Sequence, residues 1–239
     1  MPVDIRLTYD DYCLLPNDGK RYEIIDGELF VTPSPRTAHQ KVVTNLCYYL
    51  ADFIKKEELG EVYVAPFDVV FSRFDIVEPD VLYISKARAA VLTENNVQGA
   101  PDLVVEVLSE STADIDRTTK LKLYARFGVQ EYWIIDPLIC SAEIYRQEKG
   151  SFELAATLHS EDSLTSPLFP GLNLPLVKLI ESHALYRIRK LRGAVPLQSV
   201  RLNSLRRKPH RNRKVRLRIA SLWASRLCQL TPHPSRSGW

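Results

Sequence analysis

The sequence predicts an α/β protein built on a mixed sheet. Short runs rich in β-branched and aromatic residues follow one another in the manner of a strand meander. One long segment carries apolar residues at helical spacing, and a second helical segment separates two strongly apolar runs. Because a helix between two strands is the usual crossover that makes neighbouring strands parallel, we expect the sheet to hold both parallel and antiparallel pairs.

The first predicted elements are a short helix over residues 8–15 and a hairpin. Pro16 ends the helix, since proline has no amide hydrogen to continue it. The hairpin strands, residues 22–25 and 28–31, flank Asp26-Gly27. An Asp-Gly link between two apolar runs favours a two-residue turn.

The long amphipathic helix is predicted over residues 37–58. Its apolar positions recur at helical spacing: Val42, Val43, Leu46, Leu50, Phe53 and Ile54. Gly60 suits the left-handed residue that commonly follows a helix end. Two strands are then predicted, over residues 61–72 and 76–85, with Pro66 marking an edge or a bulge in the first.

The second half of the pattern begins with a strand over residues 103–108. Ser111 and Asp114 form a capping box that opens a helix over residues 113–127, and Gly128 stops it. A strand at 131–136 follows, and then a hairpin of residues 141–146 and 152–158. The segment PLFPGLNLPL is predicted to be irregular, before a short helix at 176–186.

Composition is typical of a globular domain, with 45% hydrophobic and 26% charged residues. No apolar run approaches the roughly 18 residues of a membrane span. The stretch MPVDIRLTYDDYCLLP is acidic and interrupted, unlike a signal peptide. The four cysteines are scattered without a CxxC pair, which argues against a zinc site or a disulfide framework. We therefore expect a cytoplasmic protein with no membrane association.

Charge divides the chain into two parts. Residues 1–181 hold 17 basic and all 29 acidic residues, a net charge of −12, whereas the remainder holds 15 Lys and Arg and no acid. This predicts a folded domain over residues 1–186 and a basic tail over residues 187–239. Three interpretations of the tail stay open: a nucleic-acid-binding arm, a disordered segment, or out-of-frame translation.

Glu106 is a candidate functional residue because it interrupts the apolar run VVEVL. On a strand it shares one face with Asp102, Val104 and Leu108. A buried carboxylate costs several kcal/mol unless it is paired, protonated or bound to a cation. An ordinary ion pair and a catalytic carboxylate both fit this position.

Asp80 is the second candidate, since it follows Pro79 at the entry to another apolar strand. If the two strands are neighbours, Asp80 and Glu106 converge, and two close carboxylates repel unless a cation lies between them. Carboxylate oxygens with waters are the ligands of Mg²⁺ or Mn²⁺.

Lys120 lies on the helix after Glu106, at the margin of its buried side. There it could reach back toward the Glu106 strand. The alternative is a surface pair with Asp116 at i,i+4, which is the more common role of a lone lysine.

Several motifs together resemble the Uma2 (Uma-two) family of restriction-endonuclease-like nucleases. They are EPDVLYIS, GAPDLVVEVLSEST, DRTTKLKLYARFGVQEYWIIDP, RYEIIDGELFVTPSPRTAHQ and VAPFDVVFS, and the resemblance spans about residues 5–181. It implies the PD-(D/E)xK nuclease fold, a restriction-endonuclease-like mixed central sheet flanked by helices. It also implies a metal-dependent endonuclease that hydrolyses phosphodiester bonds of nucleic acid, with DNA the favoured substrate.

The resemblance implies that Asp80, Glu106 and Lys120 are catalytic and that Asp80 and Glu106 bind Mg²⁺ or Mn²⁺. The position two after Glu106 is Leu108 rather than the superfamily's lysine, so Lys120 would supply the basic group.

Further residues match the family pattern or lie near it. Glu28, His39 and Asp68 are candidate accessory residues, and Glu23 and Gln40 are further matching positions.

Two other functions remain open at this stage. The missing lysine at Leu108 and the acidic domain also fit a catalytically inactive interaction module on the same fold, in the form of a homodimer. A nucleic-acid binder that acts through the basic tail, with an inert domain, is the third hypothesis.

Overall fold

A six-stranded mixed sheet forms the centre of the fold in the computed structural model, which describes residues 6–180. The predicted tail 187–239, the proposed boundary at residue 186 and the end of the last predicted helix lie outside the described residues. The described strands are β1 (Arg21–Ile25), β2 (Glu28–Thr32), β3 (Gly60–Val64), β4 (Val69–Ser72), β5 (Asp75–Val77), β6 (Val81–Ser85), β7 (Val97–Gln98), β8 (Leu103–Val107), β9 (Glu131–Asp136), β10 (Ser141–Glu148), β11 (Ser151–Leu158), β12 (Ser163–Ser166) and β13 (Phe169–Pro175).

The helices of the same region are short except for one. They are α1 (Tyr9–Tyr12), α2 (Thr37–Lys56), α3 (Ala113–Ile115), α4 (Leu121–Phe127) and α5 (Val177–Ile180). A 3₁₀ helix covers Lys86–Val91, and a π-helical turn over Asp116–Lys120 joins α3 to α4.

The central sheet has the order β11-β10-β9-β8-β6-β3. Within it only β8 and β9 run parallel, and the crossover between them is the α3–α4 segment. This confirms the predicted mixed sheet and its crossover helix. A second sheet, β2-β1-β5-β4-β7, and a two-stranded sheet, β12-β13, complete the architecture of the described residues.

Apolar side chains on the two faces of the central sheet form two cores. One face packs against α2, α5 and the β12–β13 hairpin. The other packs against α4 and the five-stranded sheet. The alternation along β8 divides its side chains between them: Val105 and Val107 join the first core, and Val104 and Leu108 the second, as the predicted strand faces require.

Two predicted strands are each split between the sheets. Residues 61–72 form β3 and β4 on either side of Pro66, and residues 76–85 form β5 and β6 on either side of Glu78-Pro79-Asp80. Proline cannot donate a ladder hydrogen bond, so both prolines lie where the chain leaves one sheet for the other. The second break places Asp80 directly at the start of β6.

Three local predictions are wrong. The capping box at Ser111 does not form, because Thr112 is the residue that precedes the helix and it makes no side-chain cap. PLFPGLNLPL is not irregular, since most of it forms β13 opposite β12. Glu58 rather than Gly60 takes the left-handed conformation after α2, with φ 51°, and Gly60 instead begins β3.

Among the described residues, no helix combines the length and the apolar character that a bilayer crossing requires.

Gly60→Ala is expected to lower the free energy of unfolding by about 2–3 kcal/mol, because overpacking forces neighbouring backbone apart. A Cβ at Gly60 would lie 2.1 Å from the Ile84 carbonyl oxygen of β6. Gly128→Ala is the control: its φ is 81° with no atom within 4 Å of a Cβ, so left-handed strain alone should cost about 1 kcal/mol. Urea unfolding of both variants measures the difference, and equal losses would mean that β3 moves freely from β6.

Candidate active site

Asp80 and Glu106 lie opposite each other on neighbouring strands. The antiparallel register of β6 and β8 pairs Val81 with Val105, and one further step places Asp80 opposite Glu106. Directly opposed residues point to the same face of a sheet. Both side chains are buried, and both line one cavity of about 300 Å³. The structure therefore brings the two predicted carboxylates together.

Each oxygen of Asp80 has its own partners. Two guanidinium nitrogens of Arg21 donate to Oδ1 at 2.9 Å each. Oδ2 accepts from the Val107 backbone N–H at 2.8 Å and lies 2.9 Å from His39 Nε2. Burial alone would raise the pKa of this carboxyl, but the hydrogen bond from His39 and the charge of Arg21 bring it below its ordinary value. Asp80 is therefore ionised.

Glu106 is engaged through one oxygen. The hydrogen bonds of the described residues reach Oε1, from Lys120 Nζ at 3.0 Å and from the Tyr124 hydroxyl at 2.7 Å. Burial raises the pKa of Glu106 to about 8; Lys120 opposes the shift, and Asp80 adds to it. Burial thus favours the protonated form of Glu106, and an added positive charge nearby would favour the ionised form.

Lys120 lies at the centre of an acidic group. Its ammonium is 2.8 Å from Glu23 Oε1, 3.0 Å from Glu106 Oε1 and 3.8 Å from Asp116 Oδ1. Although burial lowers the pKa of an ammonium, the carboxylates raise that of Lys120 above its ordinary value. The alternative of a surface pair with Asp116 is wrong, because Lys120 is 5% and Asp116 2% exposed.

The π-helical turn explains how a helix supplies this lysine. Asp116–Lys120 makes one wide turn between α3 and α4, and both end residues of the turn are buried. A π turn inserts an extra residue into the helical repeat and changes the direction of the side chains around it. Such turns often occur at functional sites, and here the turn aims Lys120 at the β8 strand.

Sequence reasoning did not single out Arg21, and it named Glu23 only as a position matching the family. Both come from β1 and line the cavity. The available signal was the alternation in RYEII, which places Arg21 and Glu23 on the same face of a strand as the core residue Ile25. Their acidic and basic partners come from distant segments, which a strand pattern cannot reveal.

The three candidate accessory residues lie in different places. His39, on the first turns of α2, lines the cavity and contacts Asp80. Glu28 is exposed on β2 and does not line the cavity. Asp68 also lies outside the cavity, where it accepts a hydrogen bond of 2.8 Å from the Tyr12 hydroxyl. Of the three, only His39 lies in the same cavity as Asp80 and Glu106.

Residues 9–177 match the Uma2 family, whose description is "Putative restriction endonuclease". The chain belongs to this family. A similar solved structure is the crystal structure of "a putative nuclease belonging to DUF820" from Anabaena variabilis ATCC 29413. The TM-score is 0.62 at 19% identity, over 73% of this chain and 97% of that chain. A comparison with curated proteins gives no match.

These comparisons confirm the Uma2 resemblance and the restriction-endonuclease-like α/β fold. At 19% identity the structural likeness establishes the fold alone. In this chain β6 and β8 are adjacent in the central sheet, with Asp80 directly before β6 and Glu106 within β8. The family places the chain among restriction-endonuclease-like proteins.

The charge of the Uma2 cavity tests whether a divalent cation fits there. Among the described residues that line it are four buried carboxylates, those of Glu23, Asp80, Glu106 and Asp116, with the permanent cations Arg21 and Lys120 beside them. The exposed Arg36–Glu110 pair at the rim adds no net charge. Full ionisation therefore leaves two negative charges, which is the charge that one divalent cation balances.

Asp80 and Glu106 are the cavity residues that could hold a divalent cation. Within residues 6–180, no group of three or more His, Cys, Asp or Glu side chains is arranged to hold a metal ion. Mg²⁺ commonly uses one or two protein carboxylates, with waters and substrate phosphates as its other ligands. Asp80 and Glu106 together match that pattern, and they do not match a closed zinc site.

Lys120→Met is expected to lower the free energy of unfolding by about 3–5 kcal/mol, because it leaves buried carboxylates without their cation. Adding Glu106→Gln should recover part of the loss. Lys122→Met, an exposed lysine on the same helix, is the matched control and should change stability by less than about 0.5 kcal/mol. Urea unfolding without divalent metal measures all three, and a small loss for Lys120→Met would contradict the charge balance described above.

Proposed function

We propose that this chain is an endonuclease that uses Mg²⁺ or Mn²⁺ to hydrolyse phosphodiester bonds of nucleic acid, with DNA as its substrate. One observation carries the proposal: Asp80 and Glu106 oppose each other in a buried cavity, and the Lys120 ammonium lies 3.0 Å from Glu106. Two carboxylates can hold a divalent cation and a lysine can stabilise developing negative charge, which are two contributions that favour phosphodiester hydrolysis. Membership of the Uma2 family supports the same reaction class.

In this proposal Asp80 and Glu106 hold the metal. A divalent cation bound to carboxylates polarises a phosphate and lowers the pKa of a bound water. His39 and the Val107 N–H fix the orientation of Asp80 through Oδ2. Tyr124 fixes Glu106 through Oε1. Both carboxylates are therefore set in place before any ligand arrives.

Lys120 contributes positive charge in this proposal. Its raised pKa keeps it protonated, so it acts through charge and not as a base. A buried ammonium stabilises the negative charge that develops on phosphate oxygens during attack. Glu23 and Asp116 also lie close to Lys120, at 2.8 Å and 3.8 Å from its ammonium.

The rim of the cavity suits a polar substrate. Hydroxyl groups of Thr32, Ser34, Ser109, Ser111 and Thr112 come from the residues that line it. Arg36 and Glu110 form an exposed ion pair at 2.8 Å across the same rim. A cavity of about 300 Å³ has room for a phosphate group with part of its sugar.

A specific observation favours the second candidate, a non-catalytic module. Both oxygens of Asp80 and one oxygen of Glu106 already have protein partners, and a closed ion-pair network needs no metal. Against it, Lys120 supplies the ammonium whose absence at Leu108 motivated this alternative. Metal binding separates the two candidates: the endonuclease proposal expects Mn²⁺ to bind at submillimolar concentration in calorimetry, and no heat at millimolar Mn²⁺ would support the module.

Asp80→Asn and Glu106→Gln are each expected to reduce Mg²⁺-dependent cleavage of plasmid DNA by at least about 100-fold, since each removes a charged group from the reacting centre. Glu153→Gln makes the same chemical change on the exposed strand β11 and should leave cleavage unaltered. Circular dichroism verifies that the variants are folded, and EDTA should stop the wild-type reaction. Wild-type rates for both site variants would reject the proposal.

A further inference from the structure

Arg21 lies between two carboxylates and is bonded to only one of them. Its terminal nitrogens donate to Asp80 Oδ1 at 2.9 Å, and one of them also donates to the Glu78 backbone carbonyl at 2.7 Å. Its Nε lies 3.7 Å from Glu78 Oε2, which is too long for a hydrogen bond. Among the described residues, neither Arg21 Nε nor Glu78 Oε2 has a hydrogen-bond partner, although both atoms are buried.

Such a pair of unsatisfied atoms is costly, because a buried polar group without a partner keeps its desolvation penalty. Glu78 is 7% exposed, so water reaches little of it. The Tyr12 hydroxyl lies 3.1 Å from Glu78 Oε1, but the same hydroxyl is closer to Asp68, at 2.8 Å, and has one proton to donate. Glu78 therefore remains an acceptor for Arg21.

The two oxygens of Asp80 differ in how they are held. His39 and the Val107 N–H engage Oδ2, whereas Arg21 is the one residue within 6–180 that engages Oδ1. If Arg21 moves away, the carboxylate keeps its orientation and Oδ1 becomes free. A guanidinium and a divalent cation cannot share that oxygen without strong repulsion between their like charges.

We infer that Arg21 is a placeholder cation, which neutralises Asp80 in the metal-free protein and transfers to Glu78 when a divalent metal takes its place. This rests on the metal site of the proposed function. The hydrogen bond from Arg21 to the Glu78 carbonyl keeps the guanidinium beside Glu78, so the transfer needs only a small shift toward Oε2. Glu78 and Arg21 are then positioning residues for the metal, and neither is a ligand.

The transfer separates this inference from simple electrostatics. Removing a positive charge near a metal site strengthens metal binding, and removing a negative charge weakens it, whether or not any group moves. Charges that stay in place change metal affinity additively. Glu78, however, can accept the guanidinium only when Arg21 is present. The effect of removing Glu78 should therefore depend on the presence of Arg21.

The test is a double-mutant cycle of Arg21→Gln and Glu78→Gln in the full chain, with Mn²⁺ affinity measured by calorimetry without nucleic acid. Arg21→Gln should bind Mn²⁺ roughly tenfold more tightly than the wild type, since a competing charge is gone. Glu78→Gln should weaken binding about fivefold in the wild type and less than about twofold in the Arg21→Gln background. Glu153→Gln should match the wild type in both backgrounds.

Thermal unfolding in EDTA supplies a readout without metal. There Arg21→Gln should lower Tm because the buried Asp80 carboxylate loses its cation. If Arg21→Gln does not fold, Arg21→Lys replaces it. Lysine keeps the charge but lacks the planar guanidinium that reaches Asp80 and the Glu78 carbonyl together. Arg21→Lys should therefore also reduce the effect of Glu78→Gln on Mn²⁺ affinity.

The outcomes separate this inference from the proposed function. If the wild type does not bind Mn²⁺ at millimolar concentration, the metal site fails and the placeholder role fails with it. If the wild type binds Mn²⁺, Asp80→Asn abolishes binding and the Glu78 and Arg21 effects on affinity are additive, the metal site stands and only the transfer is overturned.

Discussion

The rest of the structure depends on one constraint: carboxylates buried in a small cavity must be balanced by cations that the fold itself supplies. Glu23, Asp80, Glu106 and Asp116 are each less than 5% exposed, and each would be costly without a partner. Strand β1, the segment directly before β6, strand β8 and the π-helical turn contribute these acids. The constraint therefore joins four elements at one point, where packing of apolar side chains alone would leave their relative positions less defined.

Two departures from regular secondary structure bring charged groups into the cavity. The break at Glu78-Pro79-Asp80 separates β5 from β6, and it places Asp80 at the start of an inner strand of the central sheet. The π turn over Asp116–Lys120 sends a helical lysine into a position beside β8. In each case an irregular backbone segment positions a charged side chain in the cavity. The Tyr124 hydroxyl, one helical turn after Lys120, completes the contacts of Glu106 Oε1.

The sequence singled out the two acids and Lys120, but it did not single out Arg21. Asp80 and Glu106 each interrupt or begin an apolar strand, so their positions conflict with burial and attract notice without any structure. The sequence left open whether their strands are neighbours, and the structure shows that they are. Arg21 gave no such signal, because an arginine at the start of a short strand looks like a surface residue. Its role depends on residues 57 to 59 positions away. The π turn was invisible for a similar reason, since it changes helical repeat without changing composition.

The charge of the cavity also bears on how an acidic domain could take a nucleic acid as substrate. Residues 1–181 carry a net charge of −12, so long-range attraction does not bring phosphates to this surface. Inside the cavity, the carboxylates outnumber the permanent cations, and a phosphate would increase the imbalance. Under the proposed function, a divalent cation must therefore come first, because it neutralises the negative charge that a phosphate would otherwise meet. Metal binding then controls substrate binding as well as chemistry. Before the metal binds, Arg21 neutralises Asp80 and keeps the site folded.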